Sequence, residues 1–279
     1  MKPIDKWKTK RHQRLTKRVA ERNPKTTFNS SAIKAQQAGR LQTLNQNSPL
    51  HTTWKSLDVS RRSAACRFEW ARLQLFLLGI VLPLLLRTAL TFYHITVADK
   101  RWHVVPTSAS RKSLDPPRRK VRAAIQTLRA DGYKPVFVAA YEVSGDRKLD
   151  GNYTFEPHVH LIIGGAPIEK LKVAFQVRLA REARGRDKPL RIEAIPEWEL
   201  GNLLGYLAKM KAQDRVQYIE SNGRRNRTPN RMSTAEANLW LRCMASIPIT
   251  HAVQFGGFEI PLTSRFIKAQ MATIIGTLK

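Results

Sequence analysis

Between residues 92 and 211 the hydrophobic period of this chain switches repeatedly between strand and helix spacing, which leaves few folds open to it. Phe92 to Val97 is a short β-rich run, and Trp102 to Val105 is another. Pro116 and Pro117 open a basic helix with Val121, Ala124, Ile125 and Leu128 at helical spacing, and Asp131-Gly132 ends it. Residues 136–143, VFVAAYEV, read as a strand. The polar, turn-rich stretch Ser144 to Glu156 follows, and then a second strand, residues 158–163, HVHLII, closed by Gly164-Gly165. A second helix runs from Ile168 to about Ala183, with Ile168, Leu171, Phe175 and Leu179 on one side. Leu190 to Ile195 is a further strand, and Pro196 begins a third helix that ends near Lys211. The order β-α-β-β-α-β, then a helix, predicts an α+β fold of the ferredoxin-like, split βαβ kind. That is an antiparallel sheet with two helices on one face and the other face left to a ligand or to the third helix.

The flanks differ from this centre. Residues 1–25 hold ten Lys/Arg against Asp5 and Glu21, and residues 26–50 are rich in Gln, Asn, Ser and Thr. Residues 1–50 therefore read as a basic arm, poorly ordered without its partner. Residues 51–88 read as a helical extension around the apolar run 73–86, LQLFLLGIVLPLLL. That run is shorter than the ~20 residues a bilayer span needs and carries Pro83, so a buried helix is expected rather than a membrane segment. Residues 89–215 form the expected catalytic domain. Residues 216–279 are a C-terminal extension of unassigned role, with 221–231, SNGRRNRTPNR, as a basic linker or loop. Cys66 and Cys243 match neither a zinc spacing nor a disulfide framework, which fits a reducing cytoplasm. Lys plus Arg total 49 against 21 Asp plus Glu, a net charge of +28. Such an excess argues against an ordinary metabolic enzyme and for a polyanionic partner, nucleic acid first.

The candidate chemistry centres on Pro157-His158-Val159-His160-Leu161-Ile162-Ile163. Side chains alternate along a strand, so His158 and His160 share one face while Val159, Leu161 and Ile163 share the other. Two imidazoles one residue apart can bind one divalent ion, though His-x-His alone also describes two surface histidines. In the neighbouring strand Val136, Val138, Ala140 and Glu142 share a face. If the strands pair as a hairpin, Glu142 lies opposite His158 or His160 according to register. A set of two imidazoles and a carboxylate suits Mn²⁺ or Mg²⁺, with positions left for a substrate phosphate. On the third helix Asn202, Tyr206, Lys209 and Gln213 form a polar stripe beside Leu200, Leu203, Leu204 and Leu207. A tyrosine attacking a phosphodiester gives a covalent phosphotyrosine, with lysine countering the developing charge. Arg178, Arg181, Arg184, Arg186, Lys188 and Arg191, on the second helix and the loop and strand after it, are candidates for backbone contacts to DNA or simply a solvated basic face.

Pro157-His158-Val159-His160, followed later by Gly205-Tyr206-Leu207-Ala208-Lys209, resembles the HUH endonucleases in their rolling-circle replication initiator branch. Tyr93-His94-Ile95-Thr96-Val97 is the counterpart of that family's first motif, and Glu142 stands where many initiators carry a third metal ligand. The tyrosine follows the histidines, as in initiators and related transposases. Met210 stands where a second tyrosine would be, so a single-tyrosine enzyme is implied. The resemblance covers roughly residues 91–213. It implies a site-specific single-strand DNA endonuclease and strand transferase acting at the origin of a plasmid, phage or integrated element. Tyr206 would keep the 5′ end, with His158, His160 and Glu142 as metal ligands and Lys209 assisting. It also implies a host helicase and polymerase as partners and a cytoplasmic, DNA-associated location. An HUH-type transposase, a non-catalytic RRM-like nucleic-acid-binding protein and a membrane-associated DNA-binding protein are the alternatives.

Overall fold

The computed structural model describes residues 63–65, 70, 73–74, 76–176, 189–208, 213–223 and 225–258. The fold is α+β. Seven strands form one sheet: β1 Phe92–Ala98, β2 Val136–Arg147, β3 Tyr153–Gly164, β4 Leu190–Ala194, β5 Asp214–Ile219, β6 Arg225–Asn230 and β7 Val253–Gly256. Their order is β4-β1-β3-β2-β5-β6, and β7 pairs with the remaining length of the outer edge of β2. The sheet is mixed rather than purely antiparallel, because β5 runs parallel to the end of β2.

The segment Leu77–Val81 is a π-helical turn that continues into α1, Leu82–Arg87. Its Leu77, Leu78, Ile80, Val81, Leu82 and Leu85 are buried, as expected for a core helix. No helix among the described residues is long and apolar enough to cross a membrane. α2, Asp115–Ala130, takes its prolines in the first turn, where their missing N–H groups cost nothing, and buries Val121, Ala124, Ile125 and Leu128. Gly132, at φ 85°, ends it. α3 is Ile168–Phe175 and buries Leu171 and Phe175; Gln176 leaves helical geometry, so this helix is shorter than its sequence period suggests. α4 is Leu200–Leu207, preceded by a 3₁₀ turn at Glu197–Glu199. α5, Thr234–Ala245, starts in a Ser233/Glu236 capping box, and α6 is Ile249–Ala252.

The sheet has two unlike faces. Val159, Leu161 and Ile163 of β3, fully buried, look toward α2 and α3, which pack on each other. The other face carries His158 and His160. It is not open: His158 is 1% and His160 6% exposed. α4 and the Leu77–Val81 turn pack together, and Phe76 meets Phe255 of β7 edge-on.

Several expectations are corrected. Trp102–Val105 is not a strand; Lys100–Trp102 is a 3₁₀ turn capped by the Asp99 side chain, and only Val104 bridges to Phe155. The polar stretch 144–156 is mostly strand, since β2 runs on to Arg147 and β3 begins at Tyr153. Most of 221–231 is β6 rather than a linker. α4 ends at Leu207, so Gln213 is not on its stripe; the Gln213 carbonyl accepts from the Gly145 N–H at the entry to β5. The basic arm, residues 1–50, and Cys66 lie outside the described residues.

Candidate active site and metal centre

Register brings the site together. Glu142 of β2 lies opposite His158 of β3, and Ala140 lies opposite His160. On the other side of β3, Thr96 of β1 lies opposite His160 and Ala98 opposite His158. One ligand atom from each of Glu142, His158 and His160 falls within 4.8 Å of the others, so this cluster could hold a metal ion. The Glu142 carboxylate is 3.7 Å from His158 Nε2. The small Ala140 side chain leaves room beside His160.

Each imidazole is held at its Nδ1. His158 Nδ1 is 3.0 Å from the Glu156 carbonyl oxygen. A carbonyl only accepts, so Nδ1 carries the proton and Nε2 keeps its lone pair. His160 Nδ1 is 3.1 Å from the Thr96 hydroxyl. With the hydroxyl oxygen accepting, His160 also presents Nε2 as a ligand. Burial, reinforced by the Arg215 charge and opposed by Glu156, pushes the His158 imidazole down to about 4, so it is neutral near pH 7, the form a metal needs. The donor set, two neutral imidazoles and one carboxylate, fits a divalent cation.

Tyr206 is on α4, 40% exposed, and its ring meets the His160 ring edge-on at 5.7 Å between centroids. α4 is fixed there from below by Leu200, Leu204 and Leu207, all buried. The Gln74 side-chain amide donates to the Gly205 carbonyl at 2.9 Å, tying the segment before α1 to the residue preceding the tyrosine. Asn202, one turn before Tyr206 on α4, is exposed, as is Trp198 in the preceding 3₁₀ turn. Tyr218, by contrast, alternates with Arg215 and Gln217 along β5 and belongs to the face opposite the histidines.

Next to the metal triad lies a buried ionic cluster. Asp146 and Glu156, 0% and 4% exposed, share the histidine face two strand positions apart across the β2–β3 register. Glu156 Oε2 receives Arg227 Nη1 at 3.4 Å and Arg215 Nη1 at 3.7 Å; Asp146 Oδ1 has Arg227 Nε at 3.8 Å. His103 sits between the two carboxylates, 3.9 Å from Asp146 and 3.7 Å from Glu156. Burial alone would raise the Glu156 carboxyl, but His103 and the Arg215 and Arg227 guanidiniums outweigh it and hold it far below the usual carboxylate range.

Among the residues expected to act, the structure thus brings His158, His160, Glu142 and Tyr206 together. Arg191 is exposed on β4, opposite Thr96 and two strands from His160, about 10 Å by strand spacing, and it pairs with Glu193 at 2.6 Å. Lys209, Arg178, Arg181, Arg184, Arg186 and Lys188 lie outside the described residues. Sequence reasoning placed His94 and Thr96 in the counterpart of the first motif but gave neither a role; alternation in β1 puts both on the histidine face. His94 stacks on His160 at 5.4 Å, and burial lowers its pKa, with Glu193 opposing and Arg191 adding. Sequence reasoning missed Gln74 and the Glu156 carbonyl. A register argument applied to β1 would have found Thr96 and His94; nothing in the sequence pairs Gln74 with Gly205. No family model, curated protein or solved structure matches the chain.

Proposed function

We propose that this chain is a metal-dependent, single-tyrosine endonuclease and strand transferase for single-stranded DNA, of the HUH rolling-circle initiator type. The observation that carries the reading is the Tyr206 ring at 5.7 Å from His160, beside the only His/Glu cluster of metal-ligating geometry among the described residues. The connectivity supports it too. The strand order β4-β1-β3-β2, with α2 after β1 and α3 after β3, supports reading this part of the sheet as a ferredoxin-like, split βαβ plan. The net charge of +28 suits a phosphate-rich substrate.

In this reading the Tyr206 oxygen attacks the scissile phosphorus, the P–O3′ bond breaks, and the 3′ oxygen leaves with a proton as the primer hydroxyl. The 5′ phosphate stays on Tyr206, and the same residues run the step backwards on a new 3′-OH. His158, His160 and Glu142 would hold Mn²⁺ or Mg²⁺, which supplies polarisation of the phosphate oxygens. His160 packs against the Tyr206 ring and so fixes the nucleophile relative to the triad. The buried Leu200, Leu204 and Leu207 stripe and the Gln74 amide keep α4 in register over the site. Lys209 would counter charge at the phosphate.

The test is incubation of the purified chain with origin-bearing single-stranded DNA and Mn²⁺. The expected outcome is a nick and a detergent-stable protein–DNA adduct, both lost in His158→Ala and His160→Ala while DNA binding persists. Undiminished nicking by both variants would refute the site.

A further inference from the structure

Away from the nicking site, a group of arginines converges on the helix-covered side of the sheet, where α2 meets α6. The segment 111–122, RKSLDPPRRKVR, holds six Lys/Arg against the single acid Asp115. Folding gathers part of it at one point. Arg111 Nε donates to His251 Nε2 at 3.2 Å, and Arg118 Nη1 donates to the His251 carbonyl oxygen. The Arg118 guanidinium also lies over the Tyr141 ring, 5.1 Å from its centroid. Arg122 follows Arg118 by four residues and so stands on the same side of α2, one turn on. Burial raises the pKa of the Tyr141 hydroxyl, and the Arg118 and Arg122 charges both oppose it, which puts the two guanidiniums beside the same ring. The Arg111 backbone is fixed as well: its N–H donates to Ser246 Oγ at 2.9 Å, just past the end of α5.

A basic helix face can simply be solvated, and Arg129, exposed in the last turn of α2, fits that description. The group at His251 differs in what holds it. Arg101, Arg147, Arg191, Arg215 and Arg227 each reach a carboxylate. Among the described residues Arg111, Arg118 and Arg122 form no ion pair; Arg111 and Arg118 are oriented by neutral acceptors, a ring nitrogen and a carbonyl. Such an acceptor fixes a guanidinium without cancelling its charge, and it leaves most of the five donors for another partner. His251 itself stays neutral near pH 7. It accepts at Nε2, and burial with the Arg118 and Arg111 charges lowers its pKa, against Asp115. Like charges gathered in this way repel, and an anion relieves that repulsion. The site is also separate from the triad. Tyr141 lies opposite Val159 on the helix-covered face, whereas the next residue, Glu142, turns to the histidines on the other.

We infer that Arg111, Arg118 and Arg122, gathered around His251, bind the phosphodiester backbone of a stretch of nucleic acid other than the one at the triad. Guanidinium forks match phosphate oxygens bidentately, and cations one helical turn apart suit a linear polyanion better than a single carboxylate. The net charge of +28 points to the same class of partner. Backbone contacts position nucleic acid without reading its sequence. The surface therefore adds affinity and salt dependence, and it needs neither Tyr206 nor a metal ion.

The experiment measures fluorescence anisotropy of the full chain on a long mixed-sequence DNA, single-stranded and duplex, over a NaCl series. Arg122 is exposed, so Arg122→Gln should keep the wild-type melting temperature. It is expected to weaken binding several-fold and to lower the slope of log K against log salt by ~0.7 on a single strand or ~0.9 on duplex, the loss of one phosphate contact. Arg111→Gln should do the same, and the double variant should lose about twice as much slope. Arg129→Gln removes an exposed charge two turns further along α2, outside the group, and should leave the slope intact. An unaltered slope on both DNAs in Arg122→Gln, or an equal fall in Arg129→Gln, overturns the inference. So does a loss in Arg122→Gln of binding to phosphatidylserine vesicles alone, which would assign the surface to a membrane. The Mn²⁺-dependent adduct is read on the same preparations with a short saturating oligonucleotide, where Arg122→Gln should match the wild type. A slower adduct there would place the contact on the scissile strand and overturn the separation of the two sites. A slope that falls in Arg122→Gln without any wild-type adduct would sink the endonuclease reading and leave the surface standing; an adduct with an unaltered slope would do the reverse.

Discussion

Replacing Thr96 by valine removes a single hydroxyl from the site and almost nothing else. Thr96 sits opposite His160 in β1, with its oxygen 3.1 Å from His160 Nδ1. Valine has nearly the same shape and a strong preference for strands, and β1 is flanked on both sides by β3 and β4. The backbone pairing should survive. What disappears is the hydroxyl partner of Nδ1, which as an acceptor would leave the Nε2 lone pair for a metal ion. One net hydrogen bond is worth about 1 kcal/mol, roughly fivefold in an equilibrium constant. Partners of metal-ligating histidines cost about 10- to 100-fold when removed, because orientation and tautomer are lost together. A tenfold rise in the Mn²⁺ dissociation constant by titration calorimetry is therefore expected. The melting temperature without metal should move by no more than a few degrees. If metal affinity is unchanged while the variant folds normally, Thr96 does not orient a ligand, and the assignment of His160 to the metal fails with it.

The buried His158 makes a pH signature. Its folded pKa of about 4 lies below the ordinary 6.5, so its contribution to stability is fully present above pH 6.5 and is lost as pH falls toward 4, by ~3 kcal/mol at most. Denaturant titrations of the metal-free chain at pH 7 and pH 4.5 should show that loss, and His158→Gln should reduce it; an identical pH dependence in the variant would contradict it. Gly145→Ala should destabilise the β2–β5 junction by about 1–3 kcal/mol, because a Cβ there would lie 2.0 Å from Asp214 Oδ1 and 2.3 Å from the Tyr153 hydroxyl, which bond each other at 2.7 Å. Denaturant midpoints check this, and a wild-type midpoint would show the junction to be slack. Deleting residues 1–40, with twelve Lys/Arg and two acids, should weaken single-strand binding and flatten its salt slope, while cleavage of a saturating short oligonucleotide proceeds at nearly the full rate. An unaltered slope would assign the arm to another partner.

How much of this was legible in the sequence depended on what each sheet face is made of. On the helix-covered face the chain alternates cleanly, and β3 and the stripe of α2 could be placed from Val159, Leu161, Ile163, Val121 and Leu128 alone. The histidine face is different. Its Ser144, Asp146, Thr154 and Glu156 are polar, and Asp146 and Glu156 are buried beside ion-pair partners rather than in an apolar layer. A stretch built this way reads as a turn, which is why β2 and β3 looked shorter than they are. β6, with the sequence RNRTPN, has little strand propensity; its Pro229 is tolerated because the strand is an edge. The end of α4 at Leu207 was hidden because Lys209 and Lys211 continue a helix-favouring composition past Ala208, whose φ of −103° and ψ of 30° leave the helix. The triad itself was legible up to register, since Glu142 had the right parity for either histidine; the structure selects His158 as its opposite partner.

Mapping the covalent linkage decides whether Tyr206 is the nucleophile at the Glu142–His158–His160 centre. The full chain is incubated with origin-bearing single-stranded DNA and Mn²⁺, digested with protease and nuclease, and the nucleotide-bearing peptide is sequenced by mass spectrometry. The expected product is a phosphodiester-linked nucleotide on Tyr206, absent in Tyr206→Phe and absent when the metal is chelated. A nucleotide on Tyr218 or any other residue, or an adduct that persists in Tyr206→Phe, would contradict it.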